Sequence, residues 1–203
     1  MSESLSETGA DSNDLDSNDL AARAGVYELF SRLWLYELDA EMLAELADGS
    51  LASAWCELGG PTSDDADVEA LATEYCRLFV GPRDQVAPFQ SVWETGQHGG
   101  QAVASMRECL ELLSEPVPKL DEIPDHLGVQ LFLMGVFLRC LAADPTSEDL
   151  QDIVEGFAAE HLTWPAKMLD AAAARSETPF YSFLIDTTRQ FLDGEYRLLD
   201  VQS

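Results

Sequence analysis

Leu127 to Leu138 is an uncharged, almost wholly apolar run, and it constrains the fold more than any other segment. Leu127, Leu131, Met134, Leu138 and Leu141 recur at helical spacing. Val129, Phe132, Val136 and Phe137 fill the other faces. A helix apolar all round must be buried, so this one is predicted to run through the centre of the domain. Spanning a bilayer takes about 20 apolar residues, and this run is shorter. No segment alternates with period two, and no Asn-Gly hairpin or β-branched cluster occurs. The chain is therefore expected to be an all-α, single-domain helical bundle.

The remaining helices are placed by periodicity and breakers. Residues 1–17 are Ser-, Asp-, Glu- and Asn-rich with isolated leucines. They are expected to form a disordered acidic tail ahead of a domain over 18–203. Helical spacing runs from Asp19 to Leu38, and Asp39 is placed to cap a shorter helix ending before Gly49. A short segment spans 51–58. Asp64-Asp65 are expected to open the next helix, which stops at Gly81-Pro82. Residues 81–99 read as one long loop, and Gln101 to Leu113 as a helix. Residues 114–123 form a Pro-rich connection, and Pro124 suits a first helical turn. Thr146-Ser147 open a helix that Pro165 breaks or kinks. A last helix covers Pro179 to Leu192.

The net charge of −27 comes from 38 acidic against 11 basic residues. Phosphate contacts need clustered Lys and Arg, which argues against nucleic acid. An anionic membrane would repel the chain. Lysine-poor acidity of this degree suits a salt-rich cytoplasm. Cys56, Cys76, Cys109 and Cys140 share no metal-binding spacing, and no His pair completes a site. Reduced thiols in a cytosol fit this usage. The first nineteen residues hold no Lys or Arg and no apolar segment, so no signal peptide is expected. Together these features predict a cytoplasmic protein without metal or cofactor.

Two stretches carry candidate recognition groups. One is Glu74-Tyr75-Cys76-Arg77-Leu78-Phe79-Val80-Gly81-Pro82, continuing to Pro88-Phe89-Gln90-Ser91-Val92-Trp93. The other is Ile123-Pro124-Asp125-His126 at the head of the apolar run. Phe89 and Trp93 fit two roles, facing a ligand or pinning the loop to the core. Asp125-His126 sets an acid beside a histidine, and it also reads as an ordinary helix start. No nucleophile motif accompanies it. His161 and Trp164 beside Pro165 read as core. No catalytic residue is assigned.

Three blocks, in order, resemble the TorD/DmsD family of redox enzyme maturation chaperones. They are Glu74-Tyr75-x-x-Leu78-Phe79-x-Gly81-Pro82 with Pro88-x-x-Ser91-Val92-Trp93; then Pro124-Asp125-His126-x-x-x-x-Leu131-x-x-Met134; then Phe157-x-x-x-His161-Leu162-x-Trp164-Pro165 with Pro179-Phe180-Tyr181. The likeness spans about residues 20–195. It implies a cytoplasmic, all-helical, non-enzymatic chaperone. Such a protein binds the N-terminal twin-arginine leader of a molybdopterin-containing oxidoreductase and retains the client until its cofactor is inserted.

The resemblance further implies that Leu78, Phe79, Pro82, Phe89 and Trp93, with Asp125 and His126, form or border the leader-binding cleft, with Ser91 and Gln130 beside them. Two positions depart from the family pattern. Ala87 stands where a proline is frequent, and Gln130 where a glutamate is, which removes one possible arginine partner. Two other readings stay open: a nitrate-reductase-type assembly chaperone, and a small hydrolase or nucleotide-dependent factor using Asp125 and His126.

Overall fold

The computed structural model describes residues 8–49, 52–60, 67–81, 84–113 and 124–199, with the backbone alone for residues 8–16 and 54. Ten α-helices make up the described residues, with no strand among them. The apolar run forms α7 (Leu127–Ala143), and its flanks are covered as an all-round apolar helix requires.

Helix α1 (Thr8–Leu35) lies along α7. The close approach depends on Gly128 and Gly135, two turns apart on one face. A Cβ at Gly128 would stand 2.6 Å from Leu35 Cγ and 3.1 Å from the Ser31 carbonyl. One at Gly135 would stand 3.3 Å from the Ala24 carbonyl. Ser31 Oγ donates to the Gly128 carbonyl at 2.7 Å across the same contact.

On another side of α7 packs α8 (Glu148–His161), where Phe137 and Phe157 meet edge to face at 5.1 Å. Ser147 caps α8, and Pro165 occupies the first turn of α9 (Pro165–Ala173), so the break falls at the proline. Thr178 caps α10 (Pro179–Leu198) ahead of Pro179. Helix α10 closes against α1: Trp34 Nε1 donates to Thr188 Oγ1 at 3.0 Å, and Arg23 holds buried Glu195 in a fork of 2.8 to 3.3 Å. Asp39 caps α2 (Ala40–Asp48) through Met42 N–H. In α3 (Ala52–Glu57), Trp55 stacks on Phe180.

Several boundaries differ from the sequence reading. Helix α1 begins at Thr8, not Asp19. Once the docked part has nucleated, extending it by another turn carries no new nucleation cost. The expectation of disorder for residues 1–7 lies outside the described residues, as do Asp64 and Asp65. Asp67 is the cap of α4 (Val68–Tyr75). The 81–99 loop contains a short helix, α5 (Gln90–Thr95), before α6 (Gln101–Glu111). Pro124 sits in a turn, and α7 starts at Leu127. Helix α10 runs past Leu192 because Glu195 and Tyr196 are also buried.

Candidate functional site

The first block ends in a wide π-helical turn, Cys76–Val80, closed by Gly81 N–H to the Cys76 carbonyl at 2.6 Å. Such turns are frequent at functional sites. This one turns Leu78 and Phe79 inward and leaves Val80 60% exposed. One turn earlier, the buried Glu74 carboxylate accepts the backbone N–H groups of Glu177 and Thr178, the latter at 2.8 Å. It thereby caps α10 across the fold.

The second block pairs with the first. Phe89 and His126 form an isolated antiparallel bridge, with Gln90 N–H to the Asp125 carbonyl at 3.1 Å and Leu127 N–H to the Pro88 carbonyl at 2.8 Å. Asp125 is fully buried, and its Oδ2 accepts Ser91 N–H at 2.7 Å in the first turn of α5. Its Oδ1 has no partner among the described residues. His126 caps α7 itself: Nδ1 accepts Gly128 N–H at 3.0 Å, which leaves the ring proton on Nε2. Phe89 is held edge-on between His98 and His126, at 4.8 and 5.0 Å.

The third block joins through a buried polar network. Gln130 Nε2 donates to Gln90 Oε1 at 2.7 Å, and Trp164 Nε1 donates to Gln130 Oε1 at 2.9 Å. His161 Nδ1 lies 3.0 Å from the same Gln90 oxygen, which can only accept, so Nδ1 carries the proton. Nε2 then accepts from Ser105 Oγ at 3.1 Å. Gln90 Nε2 completes the set on the Glu160 carbonyl and the Glu94 carboxylate, both at 2.8 Å. Burial lowers the His161 pKa from its ordinary value, against the raising fields of Glu160, Glu94 and Asp125. A neutral ring fits this fully bonded core.

In front of this scaffold opens a hollow of about 240 Å³. Phe79, Phe89 and His126 line it, together with Tyr75, Val80, Gln85 and Pro88. Burial pushes the Tyr75 phenol up to about 12, so it remains a neutral donor.

Of the residues expected at the cleft, three are therefore in its wall. Leu78, Ser91, Asp125 and Gln130 are buried behind it, and the Asp125–Ser91 and Gln130–Gln90 bonds tie α5 to the head of α7. Trp93 is half-buried and pins the loop through Nε1 to the Ala87 carbonyl at 2.7 Å. Pro82 lies outside the described residues. Gln130, which stands where the family often has a glutamate, has an interior role, bonded to Gln90 and Trp164. Of the pair behind the enzyme reading, the acid is enclosed and caps a different helix, and His126 Nδ1 accepts Gly128 N–H. Tyr75, Val80 and Pro88 were missed, although all three stand inside the first block. Gln85 carried no signal.

The wall is aromatic and aliphatic, with a few neutral polar groups and one exposed valine at its rim. It can take an apolar side chain of an extended or helical segment. No grouping of His, Cys, Asp and Glu among the described residues could hold a metal ion. None of the described helices is long and apolar enough to cross a membrane.

A family model described as nitrate reductase delta subunit matches residues 36–170, which include every cleft residue named above. The chain is similar to the chaperone protein TorD of Shewanella oneidensis, 28% identical, covering 88% of this chain and 91% of the relative. It is also similar to the chaperone protein YcdY of Escherichia coli, 27% identical, covering 78% and 83%. A solved structure of a candidate redox enzyme maturation protein from Archaeoglobus fulgidus superposes with a TM-score of 0.56 at 23% identity, over 84% of this chain and 93% of that one. That likeness establishes the shared fold.

Proposed function

The chain belongs to the nitrate reductase delta subunit family, and from that premise we propose that it is a chaperone of redox enzyme maturation. Its client is the catalytic subunit of a molybdopterin-containing oxidoreductase. It binds the client's N-terminal leader in the aromatic cleft and keeps the client in the cytoplasm until the cofactor is loaded. Similarity to proteins named as chaperones supports the maturation role. The observation that carries peptide binding is the exposed Val80 beside Phe79 and Phe89, on walls fixed from behind by Asp125 and the Gln90–Gln130–His161 network. An apolar rim on a rigid support favours a peptide anchor, because little side-chain entropy remains to be lost on binding.

The test is calorimetric titration of a leader peptide into the full chain and into Phe89→Ala. Truncating an aromatic anchor at an interface commonly costs ~2 kcal/mol or more. Unchanged affinity in a folded variant would remove the cleft from the binding site. A second reading, a nitrate-reductase-type assembly chaperone, is favoured by the family description itself. In that case the bound segment need not be an export leader. Comparing a leader peptide with a non-exported N-terminal peptide separates the two.

A further inference from the structure

The turn between α9 and α10 grips the first block on both sides of its exposed rim. Ahead of Val80, Arg77 Nη2 donates to the Arg175 carbonyl at 2.8 Å, and the Glu74 carboxylate accepts the N–H groups of Glu177 and Thr178. Beyond it, the Arg175 guanidinium donates to the Asp84 carbonyl. Arg175 and Asp84 stand 91 residues apart, and neither carries a sequence signal for the other.

Asp84 is the residue on which this grip acts. Its φ is 56°, in the left-handed region, and among the described residues no other outside glycine has a positive φ. An L residue adopts that conformation at a cost, which Asp and Asn bear better than most. It persists where the surroundings hold it in place.

From Val86 onward the chain is fixed independently. Val86 N–H donates to the Leu78 carbonyl at 2.7 Å, Trp93 Nε1 holds the Ala87 carbonyl, and Leu127 N–H holds the Pro88 carbonyl. A change of φ at Asp84 must therefore be absorbed in the short link before Val86, and Gln85 is the cleft residue in that link. Gln85 supplies the one primary amide in the wall of the aromatic cleft. Such a group donates and accepts at once, which fits it to a backbone peptide unit.

We propose that Arg175 is a positioning residue of the aromatic cleft: by holding the Asp84 carbonyl it keeps Asp84 left-handed and so sets Gln85 in the wall. The consequence for binding rests on the reading that the cleft takes a peptide segment; the positioning itself does not. Arg175 lies outside the lining of the cleft and acts through the backbone. Both it and Asp84 are exposed, so the clamp can be removed without opening the core.

The experiment compares the full-length chain with Arg175→Met, Arg175→Lys, Asp84→Gly and the double variant Arg175→Met/Asp84→Gly. Methionine keeps much of the side-chain length and loses the donors, and the carbonyl at position 175 that Arg77 uses survives every substitution. Two readouts are taken beside the urea midpoint. One is the intraresidue amide-to-α-proton NOE of residue 84, which is strongest at positive φ. The other is the affinity for a synthetic peptide with one uncharged apolar run. In Arg175→Met the NOE should weaken and the affinity fall about fivefold, with the urea midpoint unchanged. Arg175→Lys keeps a cationic donor and should recover part of both. Glycine takes positive φ without help, so in the Asp84→Gly background Arg175→Met should cost less than about twofold in affinity. A full-strength NOE in Arg175→Met overturns the proposal. So does an affinity loss that accompanies a lower urea midpoint, or one that Asp84→Gly leaves unchanged, since either marks a merely structural role. If the wild-type chain does not bind the peptide, the peptide reading falls alone, and the NOE decides the positioning.

Discussion

The carboxylate of Asp125 accepts the backbone N–H of Ser91 at 2.7 Å, so the acid that stands at the head of α7 caps α5 instead. Glu74 does the same for α10 through Thr178. Both acids belong to blocks that look like recognition motifs, and each accepts backbone N–H at the start of a helix distant in sequence. Their role is to fix the cleft's walls.

Asp125→Ala should therefore act on stability first. It leaves Ser91 N–H buried without its acceptor, and such a loss costs about 1–3 kcal/mol. Urea unfolding should show a lower midpoint at an unchanged slope. Retained stability together with abolished peptide binding would instead place Asp125 in the ligand contact.

Val80→Asn should behave in the opposite way. Val80 is 60% exposed, so the change should leave stability within about 0.5 kcal/mol. Peptide affinity should fall by about 1 kcal/mol, the order expected for an apolar rim contact. Matched melting curves with matched titrations decide the point.

His161 gives a signed pH dependence. Its folded pKa is lowered from 6.5 by burial, so the unfolded chain binds a proton that the folded chain refuses. The contribution of the neutral ring is complete above about 6.5 and is lost as pH falls from there toward the folded value. His161→Asn can still donate to Gln90 and does not titrate. Between about pH 7 and 5, the stability gap between wild type and variant should shrink as pH falls. A gap independent of pH would mean that the ring is not held neutral.

Two arginine–glutamate pairs should differ in weight. Arg23 forks onto Glu195, whose side chain is 4% exposed, whereas Arg139 meets Glu28 at the surface. Arg23→Met strands a buried carboxylate and should cost about 3 kcal/mol. Arg139→Met should cost under about 1 kcal/mol. Equal losses in thermal or urea unfolding would contradict the burial assigned to Glu195.

The sequence alone determined the elements whose signals are local. The apolar run Leu127–Leu138 announced the central helix. Asp39, Ser147, Pro165 and Pro179 marked helix ends, because each cap or breaker acts within one turn of itself. The three ordered blocks led to the family for the same reason, since order and spacing are written along the chain. Tertiary structure decided which residues face the cleft. The bond from Asp125 to Ser91, the cap from Glu74 to Thr178 and the Gln90–Gln130–His161 network join residues far apart in the chain, and nothing beside any of them announces the partner. An acid before a histidine at a helix start looks the same whether it caps its own helix or another one. The exposure of Val80 beside buried Leu78 and Phe79 follows from one wide turn, whose extra residue shifts the helical face. Burial and capping across the fold are relations between surfaces, and only the packed chain brings those surfaces together.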